Sequence, residues 1–219
     1  MNNAKKVLFT GVLLILLFAI WTILVQTADV KPSGVNETDI GLEAVNVAFF
    51  EFTGVHLTLY VITDWLGLVP LLICAMFGIL GMRQMLKRKG LFRVDTDILI
   101  LGIYYLLVIF AYLIFETVTI NYRPVLINGN MESSYPSSTT LLVLAVMPTL
   151  WEQADRRVEN VRLRKLIKAF VAIFSAFMVA GRLTSGVHWL SDIIGGILIS
   201  AGMFCFYKGA VILSRKCGN

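Results

Sequence analysis

The sequence predicts an all-α, polytopic membrane protein with six transmembrane helices and both termini in the cytoplasm. Apolar residues make up 58% of the 219 residues and charged residues only 15%, whereas a soluble domain is about 45–50% apolar and about 25% charged. Six apolar stretches approach or reach the length of about 20 residues that a spanning helix needs. Basic residues cluster between alternate stretches. Lipid must therefore cover the apolar surface that so small a chain cannot bury.

The first predicted helix covers residues 7–25 and follows Lys5 and Lys6. A signal peptide begins in the same way. However, this apolar run exceeds the usual 7–15 residues, and no small-residue cleavage site follows it cleanly, so an uncleaved anchor is favoured. Between the first two helices lie residues 26–60, in which residues 40–60 are mixed enough in polarity for an interfacial helix.

Five more helices are predicted, and the fourth span of the protein is short. They cover residues 61–82, 98–118, 138–151, 166–181 and 191–213. The last stretch is rich in small residues, as expected where helices pack closely in lipid. We divide the chain into residues 1–60, an N-terminal helix with its outer segment, and residues 61–219, a five-helix core.

The distribution of basic residues predicts the orientation. With both termini inside, the cytoplasmic segments hold 16 of the 19 lysines and arginines, and only Lys31, Arg123 and Arg182 lie outside. This is the asymmetry of the positive-inside rule. The net charge of +5 then reflects topology, so we expect membrane lipids and no nucleic acid as partners. The short loops favour a bacterial plasma membrane.

Arg123 and Arg182 oppose the positive-inside pattern. A cation kept near the outer membrane boundary indicates a function, although snorkelling to the interface would also explain either one alone. Cysteine spacing indicates neither a disulfide framework nor a zinc site. Cys74 and Cys205 lie in apolar runs and are interpreted as small lipid-buried residues.

A segment near the start of the last helix combines groups suited to phosphate chemistry. His188 and Asp192 are four residues apart and share a face of a helix that begins near the histidine. A carboxylate beside an imidazole fixes its tautomer and raises its basicity. Arg182 offers a planar fork of donors that suits phosphate oxygens.

Two further outer segments become neighbours of this one in a helix bundle. Ser137, Ser138 and Thr139 place hydroxyls and free N–H groups at the start of the fourth helix, where anions bind. An ordinary helix N-cap after a proline is the alternative. Arg123 and Pro124 supply a second guanidinium beside a stiff neighbour.

Together, the three segments resemble the type-2 phosphatidic acid phosphatase superfamily, whose soluble relatives include vanadium haloperoxidases. The family pattern is Lys-x6-Arg-Pro, then Pro-Ser-Gly-His, then Ser-Arg-x5-His-x3-Asp. Matches to it are Arg123-Pro124, Pro136-Ser137, and the set of Arg182, His188 and Asp192.

The resemblance implies a membrane phosphatase that acts on a phosphorylated lipid at the extracytoplasmic face. His188 would attack phosphorus to form a phosphohistidine, and Asp192 would orient it. The residues implied to hold the phosphate oxygens are Arg123, Arg182, Ser137, Ser138 and Thr139. Neither a metal nor another cofactor is implied, because the arginines supply the positive charge.

Three positions depart from the family pattern. The lysine is replaced by Glu116, the histidine that protonates the leaving group by Thr139, and a serine by Gly181. Threonine is no acid near neutral pH. An alkoxide leaving group needs a proton far more than a phosphate does, so the sequence favours a lipid diphosphate, such as a polyprenyl diphosphate, over phosphatidic acid. His56 could lend the proton, but it is more simply an interfacial residue.

Two other functions stay open. A non-catalytic family member that binds phosphorylated lipid or another anion would also lose the lysine and the acid histidine. A small transporter is disfavoured, because the sequence has neither an internal repeat nor a mid-membrane ion pair.

Overall fold

The fold is a bundle of α-helices, seen in a computed structural model that describes residues 3–217. These residues form α1 (Asn3–Thr27), α2 (Glu43–Thr53), α3 (Leu57–Leu66), α4 (Leu68–Arg88), α5 (Thr96–Thr117), α6 (Ser138–Arg157), α7 (Val161–Thr184) and α8 (Leu190–Cys217). In this part of the chain the only β-pairing is three isolated bridges. The all-α prediction is thus confirmed.

Five helical segments are long and apolar enough to cross a membrane: Asn3–Thr27, Leu57–Arg88, Thr96–Thr117, Val161–Thr184 and Leu190–Arg215. The chain is therefore a membrane-embedded protein. The predicted fourth span falls in α6, which is not among the five. Most of α6 is buried against neighbouring helices. Protein rather than lipid surrounds it, so it needs no continuous apolar surface, and the count of six spans stays a prediction.

The predicted second helix begins earlier than expected and contains a break. Gly54, with a φ of +69°, ends α2 in a left-handed conformation that glycine adopts without strain. The chain resumes as α3 at Leu57, and Gly67 separates α3 from α4. α2 lies within residues 40–60, where an interfacial helix is predicted, and its place at an interface stays a prediction.

α1 packs antiparallel to α8 through close contact at glycines. A Cβ atom added at Gly202 would lie 2.8 Å from the side chain of Ile15. Near the other end, Trp21 Nε1 donates to the carbonyl of Ser191 at 3.0 Å. The first helix therefore contacts the predicted five-helix core, and the proposed division after residue 60 stays a prediction.

Ion pairs concentrate at one end of the bundle. They include Arg88–Asp95 at 2.8 Å, Arg157–Asp97 at 2.8 Å and Lys208–Glu152 at 2.6 Å. They tie the end of α4, the start of α5, the end of α6 and the last part of α8. α1 begins and α8 ends at this basic end. The candidate site lies at the opposite end, where α5 and α7 end and α6 and α8 begin.

Candidate active site

A hairpin in the connection between α5 and α6 carries one arginine to the site. Asn128 and Gly129 have φ values of 50° and 78°, as in a two-residue type I′ turn, for which Asn-Gly is the preferred sequence. The backbone N–H of Arg123 donates to the backbone carbonyl oxygen of Glu132 at 3.1 Å. The segment that follows this turn carries Ser134 to the candidate site. Our sequence reasoning missed this hairpin, although the Asn-Gly pair could have indicated it.

The turn between α7 and α8 carries the candidate nucleophile. Gly186 has a φ of +71°, which permits the tight return of the chain. His188 then lies two residues before α8 and is only 3% exposed. Asp192, in the first turn of α8, is fully buried. Its Oδ2 accepts the backbone N–H of Trp189 at 2.8 Å.

Hydrogen bonds set the orientation of the His188 ring. Nδ1 lies 3.2 Å from the carbonyl oxygen of Ser134 and 3.5 Å from Asp192 Oδ2. Both neighbours are acceptors, so Nδ1 carries the hydrogen and Nε2 holds a lone pair. The predicted partner Asp192 is in reach, but the carbonyl of Ser134 is closer.

The surroundings also keep this ring neutral. Burial, and then the charges of Arg123 and Arg182, hold the pKa of His188 well below its ordinary value, because each disfavours the protonated form. Nε2 therefore stays available as a nucleophile at neutral pH. Arg182 Nη2 points at this atom from 3.4 Å.

Both predicted arginines are buried beside one another. The side chain of Arg123 is 7% exposed and that of Arg182 is 1% exposed. Their guanidinium carbons lie 5.7 Å and 5.0 Å from the centre of the same Tyr60 ring. Buried side chains do not snorkel, so this geometry favours a functional role for the pair.

Several donors on these arginines are unsatisfied. Among residues 3–217, no hydrogen-bond acceptor reaches Nη1 of Arg123 or Nε and Nη1 of Arg182. A buried donor without a partner costs about 1–3 kcal/mol, and more when charged. An anion between the two guanidinium groups would relieve this cost. The site is thus built to receive negative charge next to His188.

Carboxylates border the two arginines at positions that our sequence reasoning missed. Glu132 lies 3.2 Å from Arg123 Nη2, and Asp64 lies 3.6 Å from Arg182 Nη1. Asp64 could have been noticed as an acidic residue within a predicted transmembrane helix. Glu116, at the family's lysine position, is exposed and has no ion pair with any described residue.

At the start of α6, Ser137 acts as the helix N-cap. Its Oγ lies 3.4 Å from the backbone nitrogen and 3.0 Å from the hydroxyl of Thr140, and its own N–H donates to the carbonyl of Asp192 at 3.0 Å. The backbone N–H groups of Ser138 and Thr139 meet no acceptor within residues 3–217 and stay available to an anion. A phosphate contact by Ser137 stays a prediction.

Within the described residues, no contact of the His56 or Cys74 side chain with Arg123, Arg182 or His188 is seen. The Nε2 atom of His56 lies 2.9 Å from the carbonyl of Thr53, so the exposed ring is held against the end of α2. Cys74 is a half-buried free thiol, as is Cys205. Within the described part of the chain, no group of three or more His, Cys, Asp or Glu side chains is arranged to hold a metal.

Comparison with known proteins supports the interpretation drawn from the motifs. The sequence matches the family model described as the PAP2 superfamily over residues 97–212, which is more than half of the chain. A comparison with curated proteins gives no match. The structure is similar to one solved as the crystal structure of the first transmembrane PAP2 type phosphatidylglycerolphosphate phosphatase from Bacillus subtilis. The TM-score is 0.54 with 18% sequence identity, over 94% of this chain and 97% of that one. At this identity the likeness shows a common fold, and the family match shows that the chain belongs to the PAP2 superfamily.

Proposed function

We propose that this protein is a metal-independent membrane phosphatase that hydrolyses a lipid phosphate, and preferably a lipid diphosphate such as a polyprenyl diphosphate. One observation carries the proposal. The lone pair of His188 Nε2 lies next to Arg182, and Arg182 and Arg123 hold buried donors without acceptors. Family membership and the membrane-embedded fold support the same class of hydrolase.

The first chemical step follows from this geometry. Nε2 of His188 attacks phosphorus, a P–N bond forms, and the P–O bond to the leaving group breaks with its electron pair on the leaving oxygen. Arg123 and Arg182 hold the non-bridging oxygens, where the charge of the transition state spreads. The ring becomes positive as it bonds, and Asp192 and the Ser134 carbonyl beside Nδ1 stabilise that charge. The guanidinium groups supply the positive charge that a metal brings elsewhere.

The preference for a diphosphate rests on Thr139. A general acid typically contributes about 10²–10⁴ in rate, and threonine cannot act as one. A lipid alkoxide leaving from a monoester loses most from this change, whereas a lipid phosphate leaves readily without a proton. The substrate then delivers its terminal phosphoryl group to His188.

The topology proposed with this function has six spans, with α6 as the shielded one. The basic end of the bundle faces the cytoplasm, in keeping with the positive-inside rule. His188 and both arginines then face the outer side of a plasma membrane, with both termini inside. Ser138 and Thr139 complete the phosphate pocket through the free N–H groups of α6.

The test compares matched substrates without divalent metal. Purified protein with a chelator is offered a polyprenyl diphosphate, the corresponding monophosphate and phosphatidic acid, and phosphate release is measured. We expect the diphosphate to be the best substrate. His188→Ala should abolish release, and His56→Ala should leave it unchanged. Faster release from the monophosphate, or a requirement for metal, would contradict the proposal.

A non-catalytic lipid-phosphate binder is the second candidate, and the replacements at Glu116 and Thr139 favour it. The two functions separate cleanly. A binder would release no phosphate with either wild type or His188→Ala, while vesicles containing a lipid diphosphate would still retain the wild-type protein. Binding would then depend on Arg123 and Arg182 but not on the nucleophilicity of His188.

A further inference from the structure

The junction between α3 and α4 lies against the position where the family pattern has a histidine, and it carries a carboxylate three residues earlier. A Cβ atom added at Gly67 would lie 3.6 Å from Cγ2 of Thr139, so the break packs against the replaced position. Three residues earlier, Asp64 Oδ1 lies 3.6 Å from Arg182 Nη1, close enough for an ion pair but too far for a hydrogen bond. Two separate contacts thus place this segment at the phosphate pocket.

Asp64 differs from the other carboxylates around the pocket. Asp192 is fully buried behind the ring of His188 and contacts its far nitrogen. Glu132 pairs with Arg123, for which no contact with His188 is seen in the described residues. The side chain of Asp64 is 57% exposed, and in the proposed topology it lies at the outer end of its span, next to water. Asp64 and the candidate nucleophile His188 also lie next to the same guanidinium group, that of Arg182.

The distances bring Asp64 within one small molecule of a phosphoryl group on His188. Asp64 contacts Nη1 and His188 contacts Nη2 of the same planar guanidinium, so the carboxylate lies no more than about 9 Å from Nε2. Where two catalytic groups enclose a water and a reacting centre, as in inverting glycosidases, they stand about 6.5–9.5 Å apart. A separation near this upper limit would hold a phosphoryl group on His188 and one water.

We propose, resting on the phosphatase function above, that Asp64 is the general base for the second half of the reaction. The carboxylate removes a proton from a water molecule, and the water oxygen forms a bond to the phosphorus of phosphohistidine. The P–N bond breaks, and its electron pair returns to Nε2 of His188. Inorganic phosphate leaves, and the proton on Asp64 passes to solvent.

This role fits the loss of the family's histidine. That residue serves the first step as an acid, which a diphosphate substrate does not require. Hydrolysis of the phosphohistidine still needs a base for water, and a positioned carboxylate is one of the side chains that serve as a general base. Asp64 therefore supplies the base for hydrolysis of the phosphohistidine, the step that a diphosphatase still requires.

The experiment separates the two steps. Wild type, Asp64→Asn and Glu51→Gln are mixed with a polyprenyl diphosphate labelled with ³²P in the terminal phosphate, and both lipid monophosphate and labelled protein are followed over time. For Asp64→Asn we expect a burst of about one lipid monophosphate per protein, with accumulation of base-stable, acid-labile label. Its steady turnover should fall by about 10²–10⁴. Glu51, an exposed residue of α2, is the matched control and should behave as wild type.

A different pattern would overturn the assignment. Turnover of Asp64→Asn equal to wild type, or a loss of turnover without labelled protein, would show that Asp64 only balances the charge of Arg182. Asp64→Glu keeps the carboxylate and should turn over without accumulating label, so equal accumulation in both variants would also overturn it. If wild type itself forms neither product nor labelled protein, the proposed phosphatase function fails first. If wild type forms labelled protein and Asp64→Asn turns over at the wild-type rate, only the role of Asp64 as general base is refuted.

Discussion

Replacement of Arg182 by lysine tests whether the paired N–H donors of the guanidinium group, and not only its positive charge, bind the phosphate. The side chain is 1% exposed, and Nε and Nη1 have no hydrogen-bond acceptor among residues 3–217. Lysine keeps the positive charge but offers one ammonium group in place of two parallel N–H donors. At least one charge-assisted hydrogen bond to phosphate is lost, worth about 1.5–3 kcal/mol. Since about 1.4 kcal/mol corresponds to tenfold in rate, kcat/KM should fall by about 10–150-fold.

The assay is phosphate release from a polyprenyl diphosphate at several substrate concentrations. If Arg182 binds the transition state more strongly than the substrate, kcat and kcat/KM fall together. Arg156→Lys is the matched control, because Arg156 is a largely buried arginine whose ion pairs with Asp97 and Glu152 lie at the other end of the bundle. A value of kcat/KM for Arg182→Lys within about twofold of wild type, with Arg156→Lys equally active, would refute the bidentate contact.

Three further predictions follow from the same structure. His188 stays neutral in the folded protein because its pKa is lowered, while in the unfolded chain it takes up a proton near its ordinary value. Wild type should therefore lose stability relative to His188→Gln as the pH falls below about 6.5, by up to about 1.4 kcal/mol per pH unit, and parallel thermal midpoints between pH 7 and pH 5 would contradict this. Thr139→His restores an acid and should raise turnover of a lipid monophosphate about 10-fold or more while changing that of the diphosphate little; an equal change for both substrates would argue against the leaving-group explanation. Gly202→Leu should lower the thermal midpoint through overpacking worth about 1–3 kcal/mol, since even a Cβ atom there meets Ile15, whereas Gly78→Leu points into open space and should not; equal midpoints for the two variants would refute the close packing of α1 on α8.

Hydrophobicity alone identified most of the fold. Long apolar runs correspond to α1, α5, α7 and α8, because lipid forces the backbone of such runs to bond internally. The same signal is weak for α6, whose neighbours are other helices rather than lipid. It also gave no reason to break the second span at Gly67. The interruption lies just before Pro70, which has no N–H to donate to the carbonyl of Leu66, and hydropathy does not register this.

Motif spacing identified the central residues of the candidate site but not their supporting shell. Arg182, His188 and Asp192 lie within one short segment, formed by one turn and the start of one helix. Their spacing can therefore be recognised in the sequence. Ser134 and Asp64 come from distant elements, and only the folded bundle brings them to His188 and Arg182. The Asn-Gly turn near Ser134 could have been predicted from the sequence. The contact of the Ser134 carbonyl with His188 could not.

The charges around the pocket give a second reason to expect a diphosphate, independent of the leaving group. Asp64 and Glu132 each form an ion pair with one of the two arginines and offset part of their positive charge, and the family's lysine is replaced by Glu116. An incoming phosphate must compete with both carboxylates for the same guanidinium groups. A diphosphate brings more negative charge and more acceptor oxygens than a monophosphate, and therefore competes better. We therefore expect inorganic phosphate to compete less well with these carboxylates than a lipid diphosphate does. In this proposal, weak retention of product and preference for a highly charged substrate share one physical cause, the carboxylate that accompanies each buried arginine.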